Sequence, residues 1–187
     1  MAGNVFFCNG TGLSVRDTLI VGKYVYLYAT SGEVEMRFEN CTCDVEEFRL
    51  ATANAKNGIT RATLVNTIVS GTVKGGSQTA EAYGQYLSAT NSCFTEDLVA
   101  SRLSEVMCVG CRVCAQPFES GYLPRKSLAD KGLLLDGMTG DSVDLAGRPR
   151  VFSRKSGKTL ADDPSALPDL GCFERQDRGA GLCLILR

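Results

Sequence analysis

The sequence predicts an α+β protein in which β-structure dominates: an antiparallel sheet or a small barrel or sandwich, with one or two helices and an extended, loop-rich C-terminal region. Three observations support this. The first half holds β-like apolar runs, residues 95–107 carry a helical pattern, and Gly, Pro, Ser, Asp and Arg are frequent over residues 119–181. We therefore expect a β-rich core domain at 1–118 and an extended region at 119–187 that wraps the core or a neighbouring subunit.

The clearest strand signal is the period of two between Val34 and Phe38. Apolar residues occupy alternate positions there, and charged residues lie between them. This pattern is typical of a strand with one buried and one solvated face. If the strand continues to Val45 in the same register, Cys41 and Cys43 lie on the charged face, whereas a bulge would reverse their orientation.

Further strands are expected on both sides of this segment. Leu19–Val21 and Tyr24–Tyr28 are apolar, aromatic-rich runs. Asn57-Gly58 is a strong turn signal, and β-branched residues recur at alternate positions over much of Ile59–Val73, so we predict a hairpin that exits through Lys74–Ser77. The sequence shows no internal repeat at a fixed period.

Two segments carry helical signals. Over Thr95–Met107, Thr95 can serve as the N-cap, Glu96 and Asp97 suit the first turn, and the apolar residues cluster towards one side. Thr79–Leu87 is a shorter candidate that Gly84 interrupts. We predict the helix near 95–107 and regard the other as the possible second one.

Charge and hydropathy exclude several partners. The 20 basic and 21 acidic side chains give a net charge of −1 and form no basic block, so we expect no nucleic-acid partner. No apolar run approaches the ~20 residues of a membrane span, so we expect no membrane partner. The first residues lack the pattern of a secretory signal, which predicts synthesis in the cytoplasm without export by that route.

The chain contains no histidine, and this argues against an enzyme. Without histidine there is no Ser-His or Cys-His pair and no histidine-assisted metal site. Cys43 and Arg49 have the bare spacing of a cysteine phosphatase loop, but the acidic residues between them would repel a phosphate dianion. We expect no catalytic residues.

Nine cysteines are the most unusual feature of the composition. Cys108, Cys111 and Cys114 form a C-x2-C-x2-C run that resembles, over seven residues, the cluster-binding loop of bacterial ferredoxins. The resemblance implies an iron–sulfur cluster, but the family's fourth cysteine before a proline is missing, so a fourth thiolate would have to come from elsewhere, such as Cys93. Zinc bound by Cys108 and Cys111 together with Cys41 and Cys43 is a further alternative.

The favoured alternative is that no metal or cofactor is bound and that the cysteines are structural thiols or disulfides. An odd number cannot pair completely within one chain, so at least one cysteine is free, metal-bound or linked to another subunit. Cys8, Cys172 and Cys183 lie near the termini, where links between subunits are convenient. The disulfide or inter-subunit candidates are Cys8, Cys41, Cys43, Cys93, Cys108, Cys111, Cys114, Cys172 and Cys183.

A β-rich start, a wrapping C-terminal region and the lack of a catalytic constellation make the chain similar in general character to virion structural proteins of tailed phages. The resemblance implies a tail, neck or decoration subunit, located in the virion, stabilised by cysteine crosslinks and partnered by copies of itself and other structural proteins. An iron–sulfur or zinc module centred on Cys108, Cys111 and Cys114 is the alternative function.

Overall fold

Consecutive strands of the chain alternate between two sheets in which every strand runs parallel to its neighbours. The computed structural model describes residues 3–8 (backbone only), 10–53, 58–77, 84–98 and 101–176. The strands are β1 Gly3–Cys8, β2 Leu13–Arg16, β3 Leu19–Ala29, β4 Gly32–Glu39, β5 Thr42–Thr52, β6 Gly58–Val65, β7 Ile68–Ser77, β8 Gln85–Thr90, β9 Cys93–Phe94, β10 Glu105–Val109 and β11 Arg112–Val113. Sheet A has the order β1-β3-β5-β7-β9-β11, and sheet B has the order β10-β8-β6-β4-β2.

This order makes the molecule a parallel β-solenoid. Each turn of the chain, which we call a coil, adds one strand to sheet A and one to sheet B, and each strand stacks on the strand two positions earlier. The prediction of an antiparallel sheet, barrel or sandwich with helices was therefore wrong. Among the described strands, the one antiparallel pair is β12 Phe152–Ser153 with β13 Lys158–Thr159.

The core lies between the two sheets. One continuous apolar cluster contains alternate residues from the strands of both sheets, and the rings of Phe38 in β4 and Phe48 in β5 meet edge to face with centroids 5.4 Å apart. The other large members of the cluster are Ile20, Val25, Leu27, Val34, Met36, Val45, Leu50, Leu64, Val69, Val73, Leu87 and Phe94. Burial of this cluster holds the sheets together.

The outward faces of the sheets carry polar and aromatic side chains that stack from coil to coil. Arg61 in β6 forms an ion pair of 2.6 Å with Glu33 in β4 and covers the ring of Tyr86 in β8 at 4.4 Å. In sheet A, Tyr26 and Tyr28 stack with centroids 5.5 Å apart. Because several strands, such as β4 and β8, alternate between buried and more exposed residues, they show the pattern that usually indicates antiparallel sheets, which explains the wrong prediction.

At one corner of every coil, the chain passes from sheet B to sheet A through a residue in the left-handed conformation. We call these residues the corner column: Asp17, Asn40, Asn66, Asn91 and Gly110. Their φ values lie between 42° and 65°, a region that Gly, Asn and Asp enter most readily. The Asn66 amide donates to the Asn40 side chain at 3.0 Å, and the Asn40 amide donates to Asp17 at 3.1 Å. The side chains thus connect successive coils.

The residue after each corner carries a hydroxyl or a thiol. Thr18, Cys41, Thr67, Ser92 and Cys111 each donate to the carbonyl two residues earlier. Three of them, Cys41, Thr67 and Cys111, also donate to a carbonyl of the preceding coil. These bonds supplement the backbone hydrogen bonds between coils, which continue through the corners. The corners recur at irregular intervals of about 19 to 26 residues, so the repeat escapes a search for one fixed period.

The corner also corrects the prediction for Cys41 and Cys43. The strand does not continue to Val45 in one register, because β4 ends at Glu39 and the chain turns at Asn40 into the other sheet. Both cysteines are consequently buried rather than placed on a charged face. The alternation between Val34 and Phe38 was itself interpreted correctly as a half-buried strand.

The predicted hairpin does not form, because β6 and β7 lie in different sheets. The predicted helix at 95–107 is also wrong: β10 occupies Glu105–Val109, and the Thr95 hydroxyl bonds the backbone N–H and C=O of Gly71 instead of capping a helix. Of the candidate at Thr79–Leu87, residues 79–83 lie outside the described residues, and the rest enters strand β8.

The structure describes two short 3-10 helices, Ser120–Tyr122 and Lys126–Leu128, and no α-helix in the described ranges. None of the helices in those ranges is long and apolar enough to span a membrane.

The segment after β11 packs against the outer face of sheet A. Leu128 and Leu170 cover Ile68 in β7 and Cys93 in β9, and all four side chains are almost completely buried. Gly171 lies against Thr42 in β5, where a Cβ atom would be 2.6 Å from the hydroxyl oxygen and where φ is +86°. This contact requires glycine.

A web of buried charges fixes the same segment. The Arg150 guanidinium donates to the carbonyl of Gly171 at 2.6 Å and lies 3.6 Å from Asp17 and 4.0 Å from Glu174. The Asp169 carboxylate accepts the N–H groups of Asp130 and Arg175, both at 2.7 Å. These contacts join distant parts of the segment to each other and to the first corner. The buried carboxylates of Asp144 and Glu174 also accept backbone N–H groups.

Replacing Asn66 should test the corner column. Asn66→Ala loses the hydrogen bonds to Asn40 and Leu133. Alanine is also strained in the left-handed conformation, so we expect the free energy of unfolding to fall by about 2–4 kcal/mol. Asn66→Gly loses the same bonds without the backbone strain and should be less destabilised by about 1 kcal/mol. Urea unfolding measures both, and equal stability of the two variants and the parent would contradict the role of the column.

The pH dependence of stability should report the charge web. Burial raises the pKa of Asp169 from 3.8 to about 6 and raises that of Glu174 well above 4.5. Because the folded state then holds these protons more tightly than the unfolded state, the stabilisation is complete below about pH 4 and is lost as the pH rises through about 6. We expect Asp169→Asn to remove roughly 2–3 kcal/mol of that dependence, as measured by urea unfolding at a series of pH values.

The exposed Asp162→Asn is the matched control for charge removal and should retain the parent dependence. A parent protein whose stability rises between pH 4 and pH 6, with Asp169→Asn showing the same slope, would contradict the assignment.

Candidate functional site

The last coil of the solenoid is uncovered. β10 and β11 are the final strands of sheets B and A, so one hydrogen-bonding edge of each has no partner strand among the described residues. All five residues of β10 and both residues of β11 are exposed. We call this surface the tail end. It is the most prominent apolar feature of the described surface, with exposed fractions of 38% for Val106, 55% for Met107, 58% for Val109 and 63% for Val113.

The tail end continues the interior of the molecule. Val106 stacks on Leu87, and Cys108 stacks on Ala89, and both partners belong to the core. Val113 stacks on Phe94 in the same way. These side chains occupy core positions, but no described strand stacks on their coil, so these apolar side chains are exposed.

The backbone edge at the tail end is equally unusual. Protein sheets normally protect an edge strand with lysine, proline, a bulge or a covering loop. β10 has the sequence Glu-Val-Met-Cys-Val, contains neither lysine nor proline, and pairs with β8 in an uninterrupted register. A regular edge with unpaired N–H and C=O groups is a template for one more parallel strand.

Two thiols lie together at the tail end. Cys111 packs against the core from the last corner and bonds the carbonyl of Ala89 at 3.4 Å, and Cys108 interacts with the Cys111 thiol. Partial burial, followed by this neighbouring thiol, raises the pKa of Cys108 to about 11. Cys108 is therefore an exposed thiol that is protonated at neutral pH.

Cys114, the third member of the predicted cluster, lies elsewhere. Val113 points to the core, so the next residue returns to the outer face, where Cys114 packs beside Cys93. Burial and then the Cys114 thiol raise the pKa of Cys93 to about 12. Within the described residues, no group of three cysteine, aspartate or glutamate side chains is arranged to hold a metal ion. The iron–sulfur and zinc alternatives stay predictions that a metal analysis of the purified protein would test.

The remaining described cysteines are buried. Cys41 and Cys43 lie in the core, and Cys172 lies where the C-terminal segment meets Thr42. Burial raises the pKa of Cys41 to about 12, raises that of Cys43 well above its usual value, and raises that of Cys172. All seven described cysteines are free thiols. The side chains of Cys8 and Cys183 lie outside the described residues.

Two other polar features, the charge web and a groove on sheet A, have structural roles. The carboxylates of the charge web are buried and bonded to backbone N–H groups, which gives them a role in fixing the C-terminal segment. A groove of about 520 Å³ on the outer face of sheet A is lined by both acidic and basic side chains. In it, Lys74 pairs with Glu47 at 2.9 Å and links adjacent coils.

Comparisons of the chain with protein-family models, with curated proteins and with solved structures found no match. The candidate site therefore depends on the geometry of the chain itself.

The sequence contained a signal for this site that the sequence analysis missed. A small polar residue or a cysteine follows each corner residue, and the residue three positions after the corner is apolar in every case. The five corners are Asp17, Asn40, Asn66, Asn91 and Gly110. Aligning those five positions would have given the coils and, with them, the position of the last coil. Apolar residues at 106–109 then fall on an edge strand instead of a helix.

Thiol reactivity should separate Cys108 from the buried cysteines. In dilute, reduced protein, iodoacetamide should modify Cys108 and leave Cys41, Cys43 and Cys93 unmodified, because of these four thiols only Cys108 is exposed. The rate should rise about tenfold per pH unit above neutrality until it approaches pH 11, because the thiolate is the reactive form. Peptide mapping by mass spectrometry measures each site separately, and rapid modification of Cys43 in folded protein would contradict the described core.

Proposed function

We propose that the protein is a structural subunit of a larger assembly and that the tail end is a surface through which it joins. The observation that carries the proposal is the edge strand β10, which is regular, apolar from Val106 to Val109, and without a partner strand on one edge among the described residues. Water must hydrate its apolar side chains and its unpaired backbone groups while the chain is alone. A partner that supplies a further strand and an apolar surface removes both costs.

The rest of the described molecule suits a structural role. The coils are tied to each other through the core, the corner column and the charge web, so the tail end is presented on a rigid body. A rigid, pre-formed edge loses little conformational entropy on binding, which favours stable association. The absence of histidine, noted from the sequence, agrees with a role that needs no acid–base catalysis.

Cysteine crosslinks and a phage virion are the finer parts of this proposal. Cys108 is exposed at the tail end, and Cys8 and Cys183 lie outside the described side chains, so these three are the candidates for links between subunits. Covalent oligomers that disappear with reductant on gels would support crosslinking. Detection of the chain in purified phage particles would support the virion, and detection only in free cytoplasmic protein would count against it.

Lysine on the edge strand should weaken the assembly. Val109→Lys places a hydrated charge on β10, the device by which edge strands are normally protected, and the side chain is 58% exposed, so the fold should persist. We expect the weight-average mass, measured by sedimentation over a range of concentrations, to exceed 20.0 kDa for the parent and to fall to that value for the variant.

Val143→Lys is the matched control, because Val143 is 54% exposed and lies outside the tail end. It should assemble as the parent does. A parent that stays at 20.0 kDa at every concentration, or a Val109→Lys variant that assembles normally, would overturn the proposal.

A further inference from the structure

The opposite end of the solenoid has the same kind of surface as the tail end. β1 and β2 are the first strands of sheets A and B, and we call this surface the head end. Leu13 in β2 is 46% exposed, although it stacks on Met36, which is buried in the core. Val15 likewise stacks on the buried Phe38 and is partly buried against the core cluster.

The two ends terminate the same interior rows of side chains. One row begins at Leu13 and ends at Val106, with Met36, Ala62 and Leu87 between them. The neighbouring row begins at Val15 and ends at Cys108. A second copy stacked on the tail end in the same direction would therefore set Leu13 on Val106 and Val15 on Cys108. The inward-facing side chains at the junction would thus meet apolar partners, whereas Met107 and Val109 would meet Ser14 and Arg16.

The backbone edges match as well. β1 pairs with β3 only from Gly22 onward, so within the described residues Leu19–Val21 pairs with β5 alone and keeps its outer edge open. β11 is a short strand at the corresponding place in sheet A of the tail end. When β2 of one copy pairs with β10 of another, the chain continues around the coil and places Leu19–Val21, at the start of β3, beside β11. Within the described residues, the edge of Leu19–Val21 that has no partner at the head end thus fits β11 at the tail end.

We propose that the partner at the tail end is the head end of a second copy, so that the chain stacks head to tail into a continuous two-sheet solenoid. The inference rests on the proposed structural function and names its partner. The parallel direction of all strands is preserved across such a junction, and the core, with its rows of side chains, continues from one copy into the next. Because the two contacting surfaces differ, the contact does not close on itself, and copies can be added without limit.

This arrangement gives Cys108 a specific environment. Stacked on Val15 of the next copy, the thiol would leave solvent, and its alkylation should slow as the protein assembles. A tail-to-tail dimer would instead bring two Cys108 thiols to one junction, where loss of two protons and two electrons to an added disulfide oxidant would form a Cys108–Cys108 bond. The two geometries therefore have different thiol chemistry.

A complementation experiment tests the junction. Leu13→Lys damages the head end only, and Val109→Lys damages the tail end only. For head-to-tail stacking, each variant alone should sediment at the monomer mass of 20.0 kDa, and an equimolar mixture should form a dimer of twice that mass, because one intact head then meets one intact tail. The parent should grow steadily in mass with concentration. Urea unfolding of each variant confirms that it is folded.

The outcomes are distinguishable. A Leu13→Lys variant that still dimerises, or a Cys108–Cys108 bond formed in high yield, indicates tail-to-tail contact, which overturns this inference and leaves the structural function standing. Folded variants that lose self-association but form no dimer when mixed also overturn it. A monomeric parent overturns both the inference and the proposed function. Formation of the mixed dimer, together with slower alkylation of Cys108 in the assembled parent, supports the inference.

Discussion

Stacking of one coil directly on the next is the constraint on which the rest of this structure depends. For strands to remain in register in both sheets, the chain must turn from sheet B into sheet A at the same place in every coil. The left-handed corner residues make that turn possible without strain, and the amides of Asn40 and Asn66 connect it to the coil before. Glycine at the last corner, Gly110, adopts the same left-handed conformation and leaves room for the Asn91 side-chain oxygen, which would lie 2.4 Å from a Cβ there.

The same geometry explains why thiols are so frequent. The position after each corner needs a small side chain that can donate to a nearby carbonyl, and cysteine meets this requirement at Cys41 and Cys111 as threonine does at Thr67. Other cysteines, such as Cys43 and Cys93, fill small buried spaces. Much of the cysteine content therefore follows from packing in the coils, and among the seven described cysteines only Cys108, at the tail end, is fully exposed.

Single strands were predictable from the sequence, whereas their arrangement was not. Val34, Met36 and Phe38 identify a half-buried strand by their period of two, and that pattern is the same for parallel and antiparallel neighbours. The turn at Asn57-Gly58 indicates a bend but not whether the next strand pairs with the previous one or crosses to the facing sheet. Helical spacing over 95–107 was misleading because Thr95 finds its partner in Gly71, a contact between distant residues that no local pattern contains.

The candidate site was hidden for a related reason. Cys108, Cys111 and Cys114 are close in sequence, and proximity in sequence suggested one cluster. Cys108 lies in the last strand of sheet B, Cys111 follows the corner, and Cys114 lies on the outer face of sheet A. The motif is therefore divided between core positions and the outer face. An uncovered edge is a property of the last coil as a whole, and it becomes visible only when the order of strands is known.

The connections from sheet A back to sheet B differ in length from coil to coil, unlike the corners. Residues 30–31 join β3 to β4, residues 53–57 join β5 to β6, and a longer link precedes β8, yet the strands on both sides keep their register. One side of the solenoid thus fixes the geometry, and the other accommodates differences in length. Because longer loops cost little additional entropy to close, insertions should be tolerated better in these connections than at the corners.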